Sequence, residues 1–222
     1  MNVTEIIEYL DTGRPSQEKW ERVLAWFDEL PPSQHKQATS AIDPKLDTLP
    51  DDIRRAPPRW VRDAINGAPA HRLRLARSIH LRARDARHRG SAIGDHDMQD
   101  FVAIAELKSI HRLKLFFCGL SDTGATLLAS CRHLSNLKFL NLAHNNLTYV
   151  GALAILNSGN LRQLTKLHLS RNRIGDRGAK KIAACSKAAR LDVLALRDCG
   201  LTAEGIRLLE QSPHLAGCSL HL

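Results

Sequence analysis

One arrangement of residues limits this chain more than any other: a set of apolar positions that recurs every 27 residues. Residues 137–147 carry it as Leu137, Leu140, Leu142, Asn145 and Leu147. One period earlier the same slots hold Ile110, Leu113, Leu115, Cys118 and Leu120. The next two periods hold Leu164, Leu167, Leu169, Asn172 and Ile174, then Leu191, Leu194, Leu196, Cys199 and Leu201. A glycine follows the last apolar position by four residues every time, as Gly124, Gly151, Gly178 and Gly205. Leucines alternating with polar residues turn one strand face inward and the other outward. The apolar spacing then becomes helical. Each copy therefore reads as strand, turn and helix, with strands over 113–116, 140–143, 167–170 and 194–197. A single copy cannot bury its own apolar face, whereas stacked copies can.

This pattern, L-x-x-L-x-L-x-x-N/C-x-L, resembles the leucine-rich repeat family, in its ribonuclease-inhibitor-like subtype with a long repeat and a full helix. The resemblance implies an α/β solenoid with a parallel inner sheet and outer helices over residues 76–222. In that family the asparagine turns inward and bonds the loop backbone, which assigns the same duty to Asn145 and Asn172. A degenerate copy opens the array at Ala76, Ile79 and Leu81 and rejoins it at Ile93, with Asp97 in the glycine slot. That copy is longer, so residues 82–92 read as an enlarged loop. A partial copy closes the array at Leu215, Cys218 and Leu220, a step of 24 residues. Ser121, Thr148 and Thr202 stand where they can cap the following helix.

Residues 1–75 lack the repeat. Val3, Ile6, Ile7 and Leu10 share one helical face, as do Trp20, Val23, Leu24 and Phe27. A further helix is expected over 33–42, and the stretch 49–69 reads as two short helical turns broken by Pro57 and Pro58. An exposed first repeat would leave core open to water, so this segment is expected to be an N-terminal α-helical cap.

The five cysteines fall in repeat positions. Cys118 and Cys199 hold the inward slot, Cys131 and Cys185 lie where other copies have Ser158 and Ser212, and Cys218 replaces a core leucine. Thiols used as small apolar fillers suit a reducing compartment, hence a cytoplasmic location. The first residues carry acids and no long apolar run, unlike a signal peptide, and no run approaches membrane-spanning length.

Charge is unevenly placed. Residues 54–89 hold 11 arginines and 2 acids, a net of +9 that equals the whole chain's. Arg82, Arg84, Arg87 and Arg89 are candidates for anion binding, and such asymmetry is found in nucleic-acid binders. Pairing with the acidic segment 1–53, which holds 11 acids against 5 bases, is the alternative.

Candidate chemistry is sparse. Asp95, His96, Asp97 and Asp100 are adjacent acids and imidazole that point different ways on a helix, where acids in a first turn favour the dipole. Cys118, Cys131 and His133 imitate a zinc spacing, but the repeat already buries both cysteines. No nucleotide-binding, nucleophile-elbow or zinc-protease motif occurs. Neither a cofactor, a metal nor a catalytic residue is expected. Some proteins of this repeat type activate small GTPases from the solenoid rim, and Arg171, Arg173 and Arg177 lie near such a rim.

The outward strand positions remain. They bring Arg112, Lys114, Phe116, Phe139, Asn141, Lys166, His168 and Arg197 onto the inner sheet, with Phe117, His144 and Arg171 one step further along. This face is basic and holds three of the five phenylalanines. The expectation is a non-enzymatic module that binds an acidic protein on its concave sheet, with phenylalanines as anchors. Nucleic-acid or anionic-ligand binding through 54–89 and small-GTPase regulation are the alternatives. The last strand, expected within 218–222, carries no following helix, and its bare edge invites a homodimer.

Overall fold

The computed structural model describes residues 2–82 and 93–222. Among them, seven strands form one parallel sheet in chain order: β1 (Arg55–Ala56), β2 (Ser78–Arg82), β3 (Arg112–Phe116), β4 (Phe139–Asn141), β5 (Lys166–His168), β6 (Val193–Ala195) and β7 (Ser219–His221). Helices return the chain between them: α4 (Pro58–Ile65), α5 (Met98–Ala103), α6 (Asp122–Ser130), α7 (Tyr149–Asn157), α8 (Gly175–Ala183) and α9 (Ala203–Glu210). The front of the chain adds α1 (Val3–Asp11), α2 (Gln17–Glu29) and α3 (His35–Ile42). The architecture is an α/β repeat solenoid.

Repeat slots fill the space between sheet and helices. Leu113, Leu115, Leu140, Leu142, Leu167 and Leu169 are all fully buried. Each contributes on the order of 2–3 kcal/mol of apolar transfer. The register joins equivalent residues: Leu113 pairs with Leu140, Leu140 with Leu167 and Leu167 with Leu194. Strands begin one residue earlier than expected, and β4 to β6 end two residues earlier. Interstrand bonding nonetheless continues past those ends, with Leu142 N–H donating to His168 O at 2.8 Å and Leu169 N–H to Ala195 O at 2.8 Å.

Asn145 holds the turn together. Its Oδ1 accepts from Cys118 N–H at 2.9 Å and Leu120 N–H at 3.0 Å, and its Nδ2 donates to Leu115 O at 2.8 Å and Leu142 O at 2.9 Å. Asn172 does the same one coil on, toward Leu147, Leu142 and Leu169. In the same slot the Cys199 thiol donates to Leu169 O at 3.2 Å. Ser121, Thr148 and Thr202 cap α6, α7 and α9 as their positions imply, each hydroxyl accepting from a backbone N–H two residues on.

Carboxylates stack the helices. Asp122 accepts from Thr148 N–H at 2.8 Å and Oγ1 at 2.6 Å, and from Gly151 N–H at 2.9 Å. Asp95 serves Ser121 and Asp176 serves Thr202 in the same way. Tyr149 takes this place for α8, where its Cβ would meet a side chain at Gly178 at 2.8 Å.

Three features differ from the sequence expectation. First, residues 55–56, expected in a helical turn, form β1, which pairs in parallel with β2 through Arg55–Ser78 and Ala56–Ile79. Pro57 denies its predecessor the helical conformation, so Ala56 stays extended. Second, the last step is 26 residues and not 24, because Leu194 pairs with Leu220. Turn residues after Leu215 take up the two extra positions. Third, Cys218 therefore lies before the strand, half-buried, and is not in a core leucine's place. Cys118, Cys131, Cys185 and Cys199 are buried thiols.

The front helices pack on an aromatic cluster that uses all three tryptophans of the chain. Trp60 meets Trp20 edge-on at 6.5 Å and Phe27 at 6.0 Å. Trp20 Nε1 donates to Arg55 O at 2.9 Å, fixing α2 against β1. Lys19 is buried with its ammonium on the last carbonyls of α1, Leu10 O at 2.8 Å and Thr12 O, where the helix dipole favours a cation. Arg54, 1 % exposed, donates to Leu75 O at 2.8 Å and pairs with Asp43 at 3.2 Å. No helix among the described residues is long and apolar enough to cross a membrane.

Candidate functional site

Three rows of side chains stand outward from the concave sheet. Register places Arg55, Ser78, Arg112, Phe139, Lys166, Val193 and Ser219 in the first. The second holds His80, Lys114, Asn141, His168, Ala195 and His221. Arg82 pairs with Phe116 in the third. Arg197 is exposed beyond β6, its N–H donating to Ser170 Oγ at 3.2 Å.

Phe139 faces outward but is not available as an anchor, contrary to the sequence expectation. It is 7 % exposed, with the Arg112 guanidinium 4.7 Å and the Lys114 ammonium 5.8 Å from its ring centre. His168 closes the far side edge-on at 5.0 Å. Long cationic side chains lie across the ring and keep their charged ends toward water. Asn141 Oδ1 is engaged locally, accepting from Ala143 N–H at 2.8 Å.

The other strand ends carry an exposed phenylalanine. Phe117 is 44 % exposed. Phe116, half-buried beside it, packs on Arg82 at 5.0 Å and His144 at 4.7 Å. Phe117, His144, Arg171 and Asp198 share a left-handed backbone, with φ between 55° and 58°. Non-glycine residues adopt that conformation at a cost of about 1 kcal/mol or more. The turn that drives the next residue inward, to Cys118, Asn145, Asn172 or Cys199, requires it. Side chains along this rim are linked: Arg171 Nη1 donates to His144 Nε2 at 2.8 Å and its Nε to Asp198 at 3.0 Å. Phe117, Gly119, His144, Asn146 and Arg171 line a cleft of about 390 Å³.

Electrostatics set the concave rows apart from the front of the chain. Arg54 and Arg74 pair with Asp43, Arg59 with Asp28, Arg62 with Asp97, and Arg72 with Asp63. Those arginines of the basic segment are neutralised by nearby carboxylates. Arg55, Arg112, Lys114 and Lys166 have no carboxylate at salt-bridge distance among the described residues. Burial, then Lys114, Arg55 and Arg112, push the His80 imidazole down to about 4. Burial, then Arg112 and Arg55, lower Lys114, which Asp52 partly offsets. His168 is lowered by burial and then by His221, Lys114, Arg112 and Lys166.

The remaining sequence candidates have other positions. Arg82 is exposed on β2, whereas Arg84, Arg87 and Arg89 lie outside the described residues. Arg177 lies over the Tyr149 ring at 5.1 Å, away from the concave rows. Asp95 caps Ser121, and Asp97 accepts from Gly94 N–H at 3.1 Å while holding Arg62. Among the described residues no group of three or more His, Cys, Asp or Glu side chains converges as a metal site. Arg55 and His221 are part of the face that the sequence reading left out of the site. The signal for Arg55 was the proline pair at 57–58, which favours extended backbone before it.

Residues 106–129, 133–156 and 160–183 match a family model described as Leucine Rich repeat. No curated protein sequence matches. Among solved structures, one titled "Leiomodin-1 Actin-Binding Site 2 (ABS2)" is similar at 20% identity and a TM-score of 0.48, over 69% of this chain and 87% of that one.

Proposed function

Taking the chain as a leucine-rich repeat protein, we propose that it is a non-enzymatic interaction module whose concave sheet binds an acidic protein partner. The observation that carries this is the strip of unneutralised cations, Arg55, Arg112, Lys114 and Lys166, on a sheet beside front-segment arginines, Arg54, Arg59, Arg62, Arg72 and Arg74, that hold carboxylates. Burial, and then mutual repulsion, lower the lysine and histidines of this surface, and carboxylates arriving there relieve the repulsion. Phe116 and Phe117, beside the rim cleft, supply the apolar anchor, with His144, Arg171 and Arg197 around it. The coil length and full helices support the ribonuclease-inhibitor-like subtype. Residues 1–75 act as the cap, burying the first repeat and lending β1 to the sheet. Buried thiols suit a cytoplasmic protein.

Nucleic-acid binding through 54–89 is the weaker reading, because most described arginines there already hold carboxylates. Capture from native lysate tests the proposal, comparing the unaltered chain with a Lys114→Glu, Lys166→Glu double variant. Proteins retained by the first should be acidic, released by salt and lost with the variant. Equal retention by both would remove the concave face as the site.

A further inference from the structure

Three adjacent strands, β1, β2 and β3, assemble a cluster that the reading above does not single out. Arg55 and Arg112 are both in register with Ser78, one on either side of it. His80 and Lys114 are in register with each other two residues further along the same face. Ser78 is fully buried beneath them, and its hydroxyl lies 3.4 Å from His80 Nε2. Arg55 Nη1 lies 3.5 Å from His80 Nδ1. With Arg55 donating to Nδ1, the ring is neutral and its proton sits on Nε2, toward Ser78. Arg112 Nε is buried without a hydrogen-bond partner. A buried donor in that state lacks the acceptor that would offset its desolvation.

We infer that Arg55, Arg112, Lys114 and His80 form an oxyanion site that receives the doubly charged phosphoryl group of a phosphorylated side chain on the partner. This rests on the reading that the concave face is the binding surface. Three permanent cations meet here, and Asp52 is the acid that acts on Lys114. A single carboxylate leaves most of that charge uncompensated. A phosphoryl group brings close to two charges and three acceptor oxygens, enough for two guanidinium groups and an ammonium. His80, held neutral by burial and then by its cationic neighbours, takes up a proton when the dianion arrives and becomes a further donor. A lipid headgroup carries the same chemistry, but a planar bilayer cannot reach cations recessed on a concave sheet. A single nucleic-acid strand gains from stacking rings beside its phosphates, and Phe139, which Arg112 and Lys114 lie across, is covered.

The test follows the His80 ring by NMR in the full-length chain, with inorganic phosphate, sulfate and acetate as probes. Phosphate and sulfate should shift the ring and raise its pKa from about 4 toward the ordinary histidine value. They should bind about tenfold or more tightly than acetate. Arg55→Gln and Lys114→Gln should each weaken phosphate binding about tenfold. Both side chains are at least partly exposed, so an unchanged circular dichroism spectrum separates this from misfolding. An acidic peptide carrying phosphoserine should bind more tightly than its unphosphorylated copy and more tightly than vesicles containing phosphatidylinositol phosphate. Acetate matching phosphate, indifference to Lys114→Gln, or preference for vesicles or a single-stranded oligonucleotide would each overturn the inference. If phosphate fails while Lys114→Glu, Lys166→Glu still abolishes partner capture, the site falls and the concave reading stands. If phosphate binds while capture is indifferent to that variant, an anion site remains, and both the concave reading and the phosphorylated partner fall.

Discussion

Asp122 Oδ1 occupies the space that a side chain at Gly151 would need: it accepts from the Gly151 N–H at 2.9 Å and would lie 2.5 Å from a Cβ built there. The periodic glycine is thus the place where one coil's carboxylate reaches the next coil's helix. Gly151→Ala should destabilise the protein by about 1–3 kcal/mol, since overpacking and loss of the carboxylate contact act together. Gly159→Ala, at a glycine with nothing within 4 Å of the added carbon, should change stability by less than about 0.5 kcal/mol. Urea unfolding of the two variants checks the difference.

Asn145 and Cys199 occupy equivalent slots with different numbers of bonds. Asn145→Ala strands two buried N–H donors and two carbonyls, and should cost about 3–5 kcal/mol, each orphaned group contributing about 1–3 before relaxation. Asn145→Cys should cost less, because a thiol in this slot donates to a carbonyl, as Cys199 does to Leu169. Chemical denaturation that ranks cysteine no better than alanine would contradict this account of the slot.

The repeats were legible because each copy spells the same slots at one spacing, so Leu140 could be placed before any coordinate was known. Helix caps at Ser121, Thr148 and Thr202 were legible for the same reason. The 26-residue last step was not, because Cys218 and Leu220 imitate the Leu-x-Leu spacing while Leu220 alone pairs with Leu194. Nor was β1, since two residues between a turn and a proline pair carry no alternation. Alternation gave the face on which Phe139 stands, but not that Arg112, Lys114 and His168 lie across it, which depends on three strands at once.

His80 ties stability to pH. Its folded pKa is about 4 against 6.5 for an unperturbed histidine, so between those values the unfolded chain holds more protons. Stability contributed here is present above about 6.5 and falls as pH falls toward 4. His35 and His168, also lowered by burial, act in the same sense. Unfolding midpoints at pH 7 and pH 5 should therefore differ less for His80→Gln than for the unaltered protein. Parallel losses would mean that His80 is not the group responsible.

Asp43 holds Arg54, Arg74 and Arg77 at once. Asp43→Ala removes the nearest carboxylate from a buried guanidinium and should cost about 3 kcal/mol. Thermal unfolding followed by tryptophan fluorescence reads this directly, since Trp20 and Trp26 lie on α2 and Trp60 on α4. An unchanged midpoint would show that Asp47 alone suffices for Arg54.

The central claim is that the concave sheet is the surface that meets a partner, and lysine positions make it measurable. Lys114 and Lys166 stand on the concave strands, whereas Lys180 and Lys181 stand on α8, on the opposite side of the solenoid. A retained partner should protect Lys114 and Lys166 from amine acylation, read by mass spectrometry, and leave Lys180 and Lys181 as reactive as in the free chain. Protection of Lys180 and Lys181 with Lys114 and Lys166 unchanged would place the partner on the helices and contradict the claim.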